Sequence, residues 1–160
     1  MRHILLTSGA IILLTAICVI ILPRDKTDVD RSSFSLACKG DVHFYIQQPD
    51  AAATMDGNLS LTTLGNKRLA LGFSGKLHTD KGSFTLSRTL MMDYIYHAEN
   101  NILELNYAAS HATNVDTAPE DVFFHALLKG RLFILKLSRL SDNTLLISDA
   151  TTPLYACVNQ

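Results

Sequence analysis

The sequence predicts a mainly β protein: a single N-terminal transmembrane helix, then a small antiparallel β-barrel or sandwich carrying one short helix. Three observations lead there. Apolar and polar residues alternate with period 2 through most of the chain, and turn signals roughly every 8–14 residues cut the pattern into about eight short strands. Ile4 to Leu22 contains no charged residue. One stretch near residue 117 has the spacing of a helix start instead of a strand.

The uncharged run comes first. ILLTSGAIILLTAICVIIL spans residues 4–22, roughly 28 Å as a helix at 1.5 Å per residue, against a hydrocarbon thickness of about 30 Å. Thr7, Ser8 and Thr15 can return their hydroxyl protons to backbone carbonyls one turn back, which makes them tolerable in lipid. A cleaved signal peptide would have a shorter apolar region and a small-x-small cleavage site. Here the run ends Val19-Ile20-Ile21-Leu22-Pro23-Arg24 without a small pair, and Cys18 follows Ile17, so no lipobox is present. The reading is an uncleaved anchor, with a cleaved signal or a buried core helix as the competing outcomes. Flanking charges, Arg2 and the terminal amine against Arg24 and Lys26, nearly tie and leave orientation open. An apolar segment this close to the N-terminus exports the rest of the chain. The expected organisation is a cytoplasmic N-terminus over 1–3, a transmembrane helix over 4–22, a solvated linker over 23–33 and a periplasmic β-rich domain over 34–160, single-pass in a bacterial inner membrane.

Within the body, Phe34, Leu36 and Cys38 alternate with serines and alanine. Lys39-Gly40-Asp41 then breaks the run, and Val42, Phe44 and Ile46 resume it. Gln48 to Gly57, with Pro49 and Asp56-Gly57, reads as a loop. Leu59 and Leu61 form the next strand, Gly65-Asn66-Lys67 turns, and Leu69, Leu71 and Phe73 follow on one face. Asp80-Lys81-Gly82 is a hairpin signal. Phe84 and Leu86 lead into a strand that continues from Leu90 to His97, Asn100-Asn101 turns, and Leu103, Leu105 and Tyr107 share a face. Thr117-Ala118-Pro119-Glu120 has capping-box spacing with proline in the first turn, which predicts a helix over Val122 to Lys129 stopped by Gly130. Arg131 to Leu140 and Thr144 to Ser148, joined by Ser141-Asp142-Asn143, and a final segment from Leu154 to Val158 complete the strands. Gly72 and Gly75 mark bends or bulges. A barrel of about eight strands fills its interior with side chains or holds one small apolar ligand.

Composition narrows the function. With 48% hydrophobic and 18% charged residues, the 160-residue chain is too apolar for disorder. A net charge of −1 gives no basic footprint for nucleic acid. The body histidines, His43, His78, His97, His111 and His125, include no pair three or four residues apart, so no helical metal-ligand pair exists. No serine sits in a nucleophile elbow, and the glycines near Lys76 lack phosphate-loop spacing. Asp28-x-Asp30 lacks the glycine and distal glutamate of a calcium loop. Glu99 and Glu104 are the one candidate carboxylate pair, and nothing in the sequence separates them from Asp93 or Asp121. The expectation is a non-enzyme with no catalytic residues, no metal and no cofactor.

Three cysteines divide into two groups. Cys18 falls in the apolar run as a small apolar residue. Cys38 in the first body strand and Cys157 in the last segment are a natural disulfide if the body is exported. Such a bond would pin the first strand to the last, as closing a barrel requires. Two buried free thiols, or pairing with another protein, are the competing outcomes.

The segments SSFSLACKGDVHFYI and LKGRLFILKLSRLSDNTLLISDATTPLYACV, behind a single N-terminal apolar helix, resemble the FidL-like proteins of enterobacteria. These are small membrane proteins that accompany a ToxR-like transmembrane transcription regulator. The most specific parts are Cys38-Lys39-Gly40, Asp142 to Ser148 and Pro153 to Val158. In layout the chain is similar to ToxS-type effectors, which pair in the periplasm with their regulator's sensor domain. The resemblance implies an accessory protein that binds and stabilises such a sensor domain, sharing with it a lipocalin-like barrel and a small apolar ligand site. It assigns no ligand-binding residue. The alternative is a stand-alone inner-membrane-anchored ligand-binding or envelope-assembly protein.

Overall fold

A computed structural model describes residues 34–160 apart from 49, 50, 129, 150 and 151. The expected N-terminus over 1–3, transmembrane helix over 4–22 and linker over 23–33 lie outside the described residues, as does Cys18. Among the described residues no helix is long and apolar enough to cross a membrane.

Eight strands and one helix follow one another: β1 (Ala37–Gln48), β2 (Ala51–Leu64), β3 (Arg68–Thr79), β4 (Gly82–His97), β5 (Ile102–Ala112), α1 (Glu120–Leu127), β6 (Leu132–Ser141), β7 (Thr144–Ser148) and β8 (Pro153–Asn159). Each strand pairs antiparallel with the next, and β8 returns to β1 to close the barrel. Alternation sets the faces. Leu59 and Leu61 on β2, Leu69 and Leu71 on β3, Leu90 and Met92 on β4 and Leu103 and Leu105 on β5 are buried inside. The intervening residues face out, because successive side chains on a strand point to opposite faces.

The short turns match their sequence signals. Gly65-Asn66-Lys67 joins β2 to β3 with positive φ at Asn66 (62°) and Lys67 (55°). Asp80-Lys81 joins β3 to β4, with Thr79 opposite Gly82.

Two sequence expectations are corrected. Lys39-Gly40-Asp41 does not break the first strand; β1 is continuous, and Gly40 is buried within it. A Cβ at Gly40 would overlap the Ala156 carbonyl oxygen, so the glycine answers a close approach of β8. The expected loop from Gln48 to Gly57 is mostly strand: β1 runs to Gln48, and β2 begins at Ala51 and contains Asp56-Gly57. Gly57 pairs with Gly75 on β3, and a Cβ on either would overlap the other strand's backbone. The two glycines let the strands approach closely, as glycine inside a strand does where another backbone comes near. Gly75 has φ +143°, and the β2–β3 and β3–β4 ladders run through it without a register shift, so no bulge is made there.

The helix begins two residues earlier than its sequence suggests and is capped differently. Pro119 is the cap residue and no side chain caps the helix. Thr117 Oγ1 instead accepts a hydrogen bond from the Thr85 amide at 2.8 Å, so the capping box is not made. Leu128 already has extended backbone, so the helix stops before Gly130. Residues 113–117 continue the lane of β5 along β4, through Thr113 N–H to Ser87 O and Thr117 N–H to Thr85 O, both 2.9 Å. The chain then turns into α1, which packs against β2 and buries Val122, Phe123 and Ala126. Phe123 meets Phe73 edge-on, with ring centroids 5.2 Å apart.

Candidate functional site

The place where the barrel closes is its least regular feature. Cys38 and Cys157 form a disulfide, with Cα atoms 5.4 Å apart and 119 residues between them in sequence. Both are buried. The pairing expected from the sequence is therefore the one observed. Beside it, β1 and β8 share only two register pairs, Cys38 with Asn159 and Lys39 with Val158. The Gln160 amide adds a hydrogen bond to the Ala37 carbonyl at 2.9 Å. From Gly40 onward the pairing stops, although β1 runs on to Gln48. At Gly40, β8 passes across the core side of β1. An open groove of about 470 Å³ lies along this seam, lined by Lys39, Gly40, Asp41, Asn58, Ala156 and Val158 among others. An interrupted ladder leaves backbone donors and acceptors on a strand edge, and such an edge is a template for another strand.

The second notable group is inside. Arg88 lies on the inward face of β4 between Leu86 and Leu90 and is 5% exposed. Its guanidinium donates to both carboxylate oxygens of Asp116, at 3.0 and 3.3 Å, and to the Ala118 carbonyl at 2.6 Å. It also stacks over the Phe123 ring, 4.5 Å from the centroid. The fully buried Asp116 carboxylate accepts in addition from the Ser87 and Ala118 amides, both at 3.0 Å. Burial alone would raise the Asp116 pKa. The hydrogen bonds and charge of Arg88, with those two amides, outweigh it and hold the carboxyl below the usual carboxylate range. This group ties the 113–119 segment and α1 to the barrel wall. Arg88 was legible in part: Phe84, Leu86, Leu90 and Met92 share its parity, so the alternation itself placed a charge indoors. Asp116 had no signal, because a loop supplies it.

The body histidines and the Glu99 and Glu104 carboxylates sit on the outer surface or in turns. His43 contacts Asp56 across β1 and β2, and His78 contacts Ser83 at 2.7 Å across β3 and β4. His111 and His125 are exposed. Glu99 and Glu104 do not pair directly; both turn to His97, whose Nε2 lies 2.8 Å from Glu104 and whose Nδ1 lies 3.7 Å from Glu99. Among the described residues no group of three or more His, Cys, Asp or Glu is placed to hold a metal ion.

The barrel interior is lined by aliphatic and aromatic side chains of the chain itself. The recess between α1 and the β3–β4 turn, lined by Ile46, Ala53, Val122 and Ala126 among others, measures about 20 Å³, enough for about one water. Tyr155 on β8 is also inside, and its hydroxyl has no hydrogen-bond partner. Burial raises the Tyr155 phenol above its ordinary pKa.

No curated protein matches the chain significantly. A protein-family match does exist, and it covers residues 75–157, just over half of the chain and running from β3 through β8, including Cys157. With that match over this barrel, the chain belongs to the family described as FidL-like putative membrane protein.

Proposed function

We propose that the chain is a single-pass inner-membrane protein, anchored by residues 4–22, whose periplasmic barrel binds and stabilises the sensor domain of a ToxR-like transmembrane transcription regulator. The protein acts by binding, without catalysis and without direct contact to nucleic acid. The observation that carries this reading is the β1–β8 seam. A strand that loses its partner at Gly40 and runs on to Gln48 offers main-chain hydrogen bonds to an added strand, and the adjoining groove offers places for its side chains. A small apolar ligand shared by the pair is placed at the joint between the two proteins.

Anchoring both proteins in one membrane raises their effective concentration, so a weak contact suffices. Binding only the folded regulator stabilises it by mass action. The test is photo-crosslinking in intact cells from position 41, in the groove, with the tagged chain at native level, followed by identification of the adduct. A single-span protein with a cytoplasmic DNA-binding domain supports the proposal. Adducts to envelope proteins alone, or none, overturn it. Replacing residues 1–22 by a cleavable signal is expected to keep the body folded and weaken the regulator's reporter output; unchanged output at normal expression would remove the effective-concentration argument.

A further inference from the structure

We propose that the outer face of β6 and β8 rests on an anionic bilayer surface. The inference relies on the anchored reading above and adds an orientation to it.

The outer surface is uneven. Five of the nine exposed large apolar side chains among the described residues lie on these two strands: Leu132, Ile134, Leu140, Leu154 and Val158, between 38% and 62% exposed. The outward positions of β3, by contrast, include Arg68, Ser74, Lys76 and His78. Charge is segregated in the same way. The sequence over 128–160 has four basic residues, Lys129, Arg131, Lys136 and Arg139, against Asp142 and Asp149, whereas 34–127 has six basic and ten acidic residues. Arg131 and Lys136 are exposed beside Leu132 and Ile134. Arg139 is engaged by Asp142 at 3.3 Å, and Glu104, the register partner of Ile134, is engaged by His97.

Aliphatic side chains flanked by lysine and arginine are what an interfacial membrane contact uses. The apolar groups enter the headgroup boundary and the cations meet anionic lipid. The eleven residues 23–33 could reach at most about 38 Å if fully extended, a length that leaves this face free to meet the bilayer.

The chain has no tryptophan, so single reporters can be introduced one at a time. Full-length Ile134→Trp, Leu154→Trp and, on the opposite wall, Ser74→Trp are reconstituted into vesicles of phosphatidylethanolamine and phosphatidylglycerol containing brominated lipid. Quenching at 134 and 154 is expected to exceed that at 74 by about twofold or more, and to fall in phosphatidylcholine vesicles or with Lys136→Glu. Equal quenching at all three positions, or none at 134 and 154, overturns the proposal. In the latter case, photo-crosslinks from 134 to a protein in cells would assign the face to a protein partner. Loss of the chain from vesicles on alkaline washing defeats the anchored reading itself. Retention without quenching defeats only the orientation.

Discussion

At the scale of single residues, the barrel contains two polar groups in an apolar interior, with opposite expected consequences. Arg88 and Asp116 pair with each other and with three backbone groups, while Arg88 Nη1 is buried without a hydrogen-bond partner. Removing one partner of such a pair strands the other charge, at a cost of about 3–5 kcal/mol. Arg88→Met and Asp116→Ala are each expected to fall in that range by chemical denaturation, and the double variant to lose less than the sum. The pH dependence follows from the direction of the Asp116 shift. The folded-state pKa lies below the unfolded value, so this stabilisation is full above the unfolded pKa and is lost as pH falls through the folded one. Asp116→Asn should therefore flatten the acid limb of the stability curve. Tyr155 is the reverse case. Its hydroxyl is buried and unpartnered, so Tyr155→Phe is expected to stabilise by about 1 kcal/mol. Its raised pKa makes it a source of destabilisation as pH rises above the ordinary tyrosine value, because only the unfolded chain ionises freely. Tyr155→Phe should remove that loss, and thermal midpoints from neutral to alkaline pH would measure it.

At the scale of elements, most of the fold was legible because the signals were local. The Gly65-Asn66-Lys67 and Asp80-Lys81 turns, the buried parity of Leu69, Leu71 and Phe73, and the final strands are all written in contiguous residues. The errors share one cause: a local signal answering a distant constraint. Asp56-Gly57 reads as a turn, yet Gly57 exists for Gly75 across the ladder. Lys39-Gly40-Asp41 reads as a break, yet Gly40 makes room for β8, more than a hundred residues away. Thr117 reads as a helix cap, yet it is claimed by β4. In the candidate site, the disulfide was legible from topology and compartment, while the short β1–β8 ladder was not, since alternation says nothing about where pairing stops. The glycine pair yields a sharp expectation. Gly57→Ala must push two backbones apart, so it should destabilise well beyond the roughly 1 kcal/mol by which alanine otherwise exceeds glycine in regular structure, and with the opposite sign. Gly65→Ala, in a turn with open space around it, is the control, and equal midpoints for the two would count against the close approach.

At the scale of the whole molecule, the question is what keeps the barrel closed. Seven of its eight junctions are ladders of four or more register pairs; the eighth has two and a disulfide. Backbone pairing at that junction is thin, so the covalent bond carries a large share of closure. It joins residues separated by 119 positions, and cross-linking a loop of that length removes unfolded-state entropy worth about 5 kcal/mol on chain-entropy grounds. Cys38→Ser and Cys157→Ser should therefore behave alike, each lowering stability by a few kcal/mol, and reductant should lower the wild-type midpoint toward theirs while leaving both variants unmoved. The location of the loss is a stricter check than its size. If the bond closes the seam, hydrogen exchange in the reduced protein should quicken first at Cys38, Lys39, Val158 and Asn159, while the long β2–β3 and β3–β4 ladders stay protected. Uniform quickening across all eight strands would mean that the disulfide stabilises the barrel as a whole without holding its seam. Equal wild-type midpoints with and without reductant would mean that the two register pairs and the core suffice.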